Sequence, residues 1–272
     1  MILIILLLIG SGALANERTP KRVVSINLCT DQLLLMLAEP AQIASVSYLA
    51  RDPDSSFVAE QALAYPINHA RLEELITLQP DLVLAGAYTD PRLLRQLKRF
   101  GMRVEKFPLT DSIEGIKADI RRMAELLGRP QQGRELIETM TSKIARVEKE
   151  QDHGLLPPKA LFYQPRGYTS GKQTLQDAAL QAAGWRNIAA ELGIEGYASI
   201  DLETLLLAEP EQLFTSSHTS GAHSRAQQQL YHPALQRLLN DRPILEIPFK
   251  YWICAGPMIA DAIAVLHDAH VE

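Results

Sequence analysis

The chain has 272 residues, of which 47% are hydrophobic and 22% are charged, and its formal net charge is −5 at pH 7. A chain of this length can bury a substantial core and has room for two domains. The negative charge argues against a general nucleic-acid-binding protein, so we expect no nucleic-acid partner.

The first fifteen residues differ from the rest of the chain. Residues 1–9 are almost wholly apolar, and small residues then lead to Ala13-Leu14-Ala15. This pattern is typical of a secretory signal peptide with cleavage after Ala15, and the run is too short to favour a transmembrane helix. The mature chain would begin at Asn16, not at a cysteine that could carry a lipid. We therefore expect an exported protein that is free in the periplasm.

Strand and helix patterns alternate over residues 22–107. They predict strands at residues 22–26, 43–47, 82–85 and 103–107, and helices at 72–78, 91–100 and after Asp31. Thr30 or Asp31 is predicted to cap the helix that follows the first strand. Alternating strands and helices with short connections predict a parallel sheet with helices on both faces.

Two longer helical patterns follow, at residues 113–127 and from Pro130 to about Gln151. Roughly twenty residues at 1.5 Å each make a rod of about 30 Å. A stiff connector between two α/β lobes fits this pattern, and a surface helix of a single domain fits it nearly as well.

The second half repeats a feature of the first. Residues 72–84 and 202–214 both contain a Leu-Glu pair, a proline seven residues after the glutamate, and then an apolar run. The repeat suggests two similar lobes, although joints of this kind are common enough to match by chance. Strands are predicted at 159–163, 212–215 and 244–247, and helices at 175–183, 202–208, 233–239 and 257–268.

Several short motifs occur in a characteristic order. They are residues 22–26, 72–73 with 78–83, 125–129, 183–189, and 202–203 with Pro210. With these motifs behind a signal peptide, the chain resembles the iron-complex and vitamin B12 class of periplasmic substrate-binding proteins, which serve ABC importers. The resemblance covers nearly all of the mature sequence.

The resemblance implies an α/β fold of two Rossmann-like lobes, joined by a single long connector helix, with the ligand cleft between the lobes. The corresponding division is a signal peptide at 1–15, an N-terminal lobe at 16–129, the connector at 130–152 and a C-terminal lobe at 153–272. In this class one glutamate on each lobe pairs with arginines of the permease dimer, and by motif match these are Glu73 and Glu203. Alternatively, an acid in the first turn only complements the helix dipole, and Glu74 would do that equally well.

The cleft should be lined by loops at the carboxyl ends of the strands. Aromatic side chains there suit a large flat or amphipathic ligand, and Arg51, Arg166 and Lys250 suit an anionic chelate. Any of these side chains could equally be an ordinary surface residue. The predicted ligand-binding residues are Asn27, Cys29, Tyr48, Arg51, Tyr88, Arg166, Tyr168, His218, Lys250, Tyr251 and Trp252.

The segment after the first strand departs from the resemblance. Family members commonly have a Ser/Pro-type turn followed by Thr-Glu there, whereas this chain has Asn27-Leu28-Cys29-Thr30-Asp31. The ligand of a relative therefore cannot be assigned to this chain. Cys29 and Cys254 are the only cysteines, and in an exported protein they could form a disulfide or stay free.

We expect a non-enzymatic, monomeric substrate-binding component of an ABC importer whose partner is a permease dimer in the inner membrane. The expected ligand is a metal chelate, with an iron–siderophore first and cobalamin or haem next, and we expect no resident cofactor or metal site. One alternative is a secreted α/β enzyme, although the chain has no Gly-x-Ser-x-Gly motif and no P-loop. Another is a zinc- or manganese-binding protein that uses histidines such as His218 and His223.

Overall fold

The structure is a computed structural model that describes residues 19–151, 154, 156–216, 230, 232–239 and 242–269. The predicted signal peptide, His218 and His223 lie outside these residues. Within these ranges, no helix combines the length and the apolar character that crossing a bilayer requires.

The first half of the chain forms a parallel sheet with helices on both faces. Its elements, in chain order, are β1 (Val23–Ser25), α1 (Leu28–Leu37), β2 (Ile43–Ser47), α2 (Ala59–Ala62), β3 (Ile67–Asn68), α3 (Leu72–Leu78), β4 (Leu82–Ala85), α4 (Pro91–Arg99) and β5 (Val104–Lys106). The strands lie in the order β3-β2-β1-β4-β5, and each neighbouring pair is parallel. The prediction of a parallel α/β sheet is confirmed.

Alternate residues of the central strands face opposite sides of this sheet. Val23 and Leu84 pack in one cluster with Leu34 of α1. Val24 packs in another cluster, with Leu75 of α3 on the opposite face. Because both faces are covered, the central strands appear in the sequence as continuous apolar runs.

Two longer helices follow the first sheet, α5 (Ile113–Leu126) and α6 (Pro130–Glu150). Pro130 stands in the first turn of α6, where the N–H that proline lacks would have no helical partner. Met140, Ile144 and Val147 form the buried side of α6.

The second half of the chain contains a second parallel sheet. Its elements are β6 (Lys159–Phe162), β7 (Tyr168–Ser170), α7 (Leu175–Ala182), β8 (Arg186–Asn187), α8 (Ile188–Glu191), β9 (Tyr197–Ser199), α9 (Leu202–Ala208), β10 (Gln212–Thr215), α10 (Pro233–Leu238), β11 (Leu245–Glu246) and α11 (Ile259–Asp268). The sheet has the order β11-β10-β6-β8, while β7 and β9 form a separate antiparallel pair.

The two sheets share one strand topology. The order β2-β1-β4-β5 of the first lobe corresponds to β8-β6-β10-β11 of the second. Helix α6 packs against α5 of the first lobe and against α7 and α11 of the second. One hydrophobic cluster contains Val23 of the first sheet, Met140 of α6 and Phe162 of the second sheet. The predicted fold of two lobes and a long intervening helix is confirmed, whereas the residue limits given for the lobes stay a prediction.

Candidate functional site

The repeated helix–proline–strand joint has the same local structure in both lobes. Each helix ends at a residue in the left-handed conformation, Gln79 (φ 47°) in the first lobe and Glu209 (φ 51°) in the second. A buried proline follows, and then an acid that accepts a hydrogen bond from the start of the neighbouring strand. Asp81 accepts from the Arg22 amide at 3.0 Å, and Glu211 accepts from the Lys159 amide at 3.0 Å. The interpretation of the repeat as two similar lobes is therefore supported residue by residue.

Glu73 and Glu203 are both the second residue of their helices, and both are exposed. Other acids satisfy the backbone at these helix starts. Glu74 accepts from the His69 amide at 2.7 Å, and Asp201 accepts from the Thr204 amide at 2.7 Å. These hydrogen bonds hold the pKa of both carboxyls below their usual values. Asp201 caps α9, α3 has no side-chain cap, and neither Glu73 nor Glu203 acts as one.

A cavity of about 360 Å³ lies between the lobes. It opens among loops at the carboxyl ends of the strands, as the parallel topology predicts. The first lobe contributes Cys29, Leu33, Tyr88, Phe107, Asp111 and Asp119, and the second contributes Gln173, Leu175, Tyr197, Trp252, Ile253 and Ala255.

The walls of this cavity combine aromatic rings with carboxylates. Tyr88 is 83% exposed and Tyr197 is 66% exposed, so both lie at the rim. Burial of its hydroxyl, with the charge of Asp111 on the other lobe, raises the pKa of Tyr197. Asp119 lies deeper and accepts a hydrogen bond from the Thr110 hydroxyl at 2.5 Å, and burial raises its pKa. The described residues that line the cavity include no lysine or arginine.

A disulfide joins the two lobes at this cavity. It links Cys29, in the first turn of α1, to Cys254, in the segment between β11 and α11, with a Cα–Cα distance of 5.0 Å. This resolves the question that the sequence left open about the two cysteines.

Three of the predicted ligand-binding residues lie in the cavity: Cys29, Tyr88 and Trp252. Trp252 is only 7% exposed, and its ring packs edge-on against Phe162 with ring centroids 5.2 Å apart. Whether these residues bind a ligand stays a prediction.

Other predicted residues have different surroundings. Asn27 caps α1, since its Oδ1 accepts from the Cys29 amide at 3.0 Å. Arg51 donates to the carbonyls of Ala62 and Tyr65, so its guanidinium fixes a loop of its own lobe. Tyr48 stacks on His69, with ring centroids 5.1 Å apart.

The remaining predicted residues come from the second lobe. Tyr251 packs against Phe57 of the first lobe, with ring centroids 5.8 Å apart. Arg166 and Tyr168 are exposed in and after a short turn, and Lys250 is half-buried. None of these four lines the cavity as it is formed by the described residues.

Asp31 is not the cap of α1, so that prediction was wrong. Its side chain is completely buried and accepts hydrogen bonds from the Ser47 amide, at 3.0 Å, and from the Ser47 hydroxyl. Burial raises the pKa of Asp31 to about 6, although these hydrogen bonds oppose the rise. Asp31 therefore ties α1 to the end of β2.

Sequence reasoning missed Asp111 and Asp119 as cavity residues. The sequence could have indicated Asp111, because this residue lies in the loop after the strand predicted at 103–107. Loops at the carboxyl ends of the strands are expected to line the cleft. Among the described residues, no group of three or more His, Cys, Asp or Glu side chains could hold a metal ion.

The fold is that of a bilobal binding protein. It has two similar α/β lobes, one long helix between them, and a cavity among the loops that face each other. The chain belongs to the periplasmic binding protein family, whose model matches residues 23–239.

Relatives and solved structures agree with this assignment. A vitamin B12-binding protein of Photorhabdus laumondii is 28% identical over 261 residues, which cover 94% of this chain and 90% of the relative. The periplasmic haem-binding protein of Vibrio cholerae has a TM-score of 0.78 at 21% identity, over 92% of this chain and 99% of its own. The periplasmic vitamin B12-binding protein of Vibrio cholerae has a TM-score of 0.66 at 20% identity, over 92% and 96%. At these identities the two structures show the shared fold.

Proposed function

We propose that the protein is the monomeric, periplasmic substrate-binding component of an ABC importer, and that it delivers a corrinoid to a dimeric permease. The observation that carries the ligand assignment is the cavity between the lobes, whose described lining pairs aromatic rings with carboxylates and contains no cation. Membership of the periplasmic binding protein family supports the binding role, and the vitamin B12-binding relative supports a corrinoid ligand.

The chemistry of a corrinoid suits this lining. The macrocycle is flat, so its face can lie against the exposed rings of Tyr88 and Tyr197 at the rim. Its periphery carries neutral primary amides, whose N–H groups can donate to Asp111, Asp119 and the tyrosine oxygens. A cavity of about 360 Å³ receives one edge of the ring, and the exposed rings of Tyr88 and Tyr197 would flank the rest.

An anionic chelate suits it less well. Haem propionates and ferric catecholates would place negative charge beside Asp111 and Asp119, and like charges brought together at an interface are unfavourable. The three cations predicted for such a ligand, Arg51, Arg166 and Lys250, do not line the cavity in the described part of the chain. For these reasons we propose a corrinoid ahead of the iron–siderophore expected from the sequence.

The permease partner is supported by Glu73 and Glu203. Both carboxylates are exposed at equivalent positions of the two lobes, and neither of them caps its helix. Two matching charges on two matching lobes suit a partner with two-fold symmetry. The disulfide is consistent with export, because such bonds persist in oxidising compartments.

Equilibrium dialysis of the protein against five compounds tests the ligand assignment: cyanocobalamin, cobinamide, haemin, a ferric hydroxamate and a ferric catecholate. We expect saturable one-to-one binding of the two corrinoids and weaker binding of the other three. Tighter binding of haemin or of the ferric catecholate would refute the corrinoid assignment. Binding of none of the five would refute the broader assignment to a metal chelate.

A further inference from the structure

The disulfide adds a covalent link between two lobes that are otherwise joined by α6, by the core packed around it and by contacts at the cleft. Cys29 and Cys254 are the only cysteines, and 225 positions of sequence separate them. Cys29 belongs to the helix that follows β1, and Cys254 lies beyond β11 of the second sheet. The bond therefore crosses from one lobe to the other within the candidate binding site.

Non-covalent contacts between the lobes lie near this bond. Tyr251, three residues before Cys254, packs against Phe57 of the first lobe. Elsewhere on the cavity, Tyr197 of the second lobe lies close enough to Asp111 for that charge to affect its pKa. Contacts between rings or charges can break when the lobes move apart, whereas the covalent bond keeps the two cysteines together.

The bond sets a narrow limit on lobe separation. Disulfide-linked Cα atoms lie at most about 7 Å apart, so from the observed 5.0 Å this point of the cleft can widen by only about 2 Å. The bond also forms part of the wall, since partly exposed Cys29 lines the cavity and Cys254 is only 2% exposed. A ligand that enters the cavity meets walls whose spacing is already fixed.

We infer that the Cys29–Cys254 bond is a clasp that holds the lobes at one separation with and without ligand, and thereby selects thin, flat ligands over globular ones. The ligand enters at the rim beside Tyr88 and Tyr197 and does not require the lobes to swing apart. The selection of ligand shape rests on the proposed function, whereas the restriction of lobe separation does not.

The restriction is tested without ligand, by hydrogen exchange of the Cys29→Ser/Cys254→Ser variant. The hydrogen-bonded amides at positions 29 and 31 on the first lobe, and at positions 252 and 253 on the second, should exchange at least about tenfold faster than in the disulfide-bonded protein. Leu97→Ala is the matched control, because it removes a completely buried side chain packed against α3 and leaves the disulfide in place. Unchanged exchange in both segments of the double variant would refute the clasp.

The wild-type protein reduced with dithiothreitol provides a second sample. The two thiols of dithiothreitol become a cyclic disulfide, and Cys29 and Cys254 become thiols. The reduced protein should show the same local increase in exchange, and reoxidation should reverse it. Loss of the bond also lowers global stability, so the amides of β1 and β4 serve as the reference for that effect. The clasp is refuted if exchange at the cavity increases by no more than exchange in β1 and β4 does.

Ligand release tests the shape selection. We expect cobinamide, whose corrin ring lacks the nucleotide loop of cobalamin, to dissociate at least about tenfold faster from the double variant, and a globular ferric hydroxamate to gain affinity relative to cobinamide. An unchanged ratio of the two affinities would refute the selection. If the wild-type protein binds no corrinoid at all, the proposed function fails, while the hydrogen-exchange measurement still decides whether the clasp exists.

Discussion

Glu73 and Glu203 occupy equivalent positions in the two lobes, each one residue after the leucine that begins its helix. The helices end alike, in a left-handed residue and a buried proline, and continue into the strands β4 and β10. Neither glutamate caps its helix, and both carboxylates are exposed and available to a partner.

Charge reversal at both positions should separate ligand binding from transport. In Glu73→Arg/Glu203→Arg we expect the transport rate in reconstituted vesicles to fall about tenfold or more, because both charges that orient the protein on the permease are inverted. Ligand affinity should not change. Glu125→Arg/Glu148→Arg is the matched control, with the same change of charge on exposed residues of α5 and α6. Equal transport by the two variants would contradict the docking role.

Replacement of the cavity carboxylates should change which ligands are bound. In Asp111→Asn and Asp119→Asn we expect weaker cyanocobalamin binding, by about tenfold for each lost charged hydrogen bond. Haemin should bind more tightly than it does to the wild type, because a repelling charge is removed. Asp54→Asn, in an exposed loop outside the cavity, is the control for calorimetric titration. Parallel changes in the two affinities would argue against charge selection.

Asp31 should make stability fall with rising pH. Its pKa is about 6 in the folded chain against an ordinary value of 3.8, so the unfolded chain loses the proton first as pH rises. The free energy of unfolding should therefore decline between about pH 4 and pH 6, by up to about 3 kcal/mol.

Asp31→Asn isolates this effect. The amide can still accept from the Ser47 amide and donate to the Ser47 hydroxyl, so both hydrogen bonds are replaced. In urea unfolding followed by circular dichroism, the variant should match the wild type near pH 4 and exceed it in stability near pH 7. A difference that is constant across this range would show that Asp31 does not titrate as described.

Loss of the disulfide should lower stability. The bond closes a loop of more than two hundred residues, and removal of a native disulfide typically costs about 2–5 kcal/mol. Cys29→Ser/Cys254→Ser should therefore unfold at a lower urea concentration, and dithiothreitol should lower the midpoint of the wild type but not of the variant. If dithiothreitol lowered the urea midpoint of both proteins equally, its effect could not come from this bond.

Much of the fold could be predicted from local sequence. The bounds predicted for β2, α3, β4, α9 and β10 agree with the structure. These elements have clear limits: a proline stands between α3 and β4 and between α9 and β10, and the strands are buried apolar runs. By contrast, β3 and β8 have two residues each, too few for any periodic pattern to be visible.

The candidate site was less predictable because it depends on contacts between distant parts of the chain. An acid at a helix start has the same sequence pattern whether it caps the helix or is buried, and only the fold places Ser47 beside Asp31. Arg51 illustrates the same limit, because the sequence could not show that its guanidinium donates to carbonyls of its own lobe. Tyr197 enters the cavity through the pairing of β7 with β9, a non-local contact that its sequence neighbours do not reveal.

The shared core around α6 has a consequence for cooperativity. Val23, Met140 and Phe162 belong to one continuous cluster, so one face of each sheet packs into a core that both lobes share through α6. A chain cut on either side of α6 would expose part of this shared core to water. Heating should therefore melt both lobes in a single heat-capacity peak, even though the sequence looks like two independent units placed in tandem.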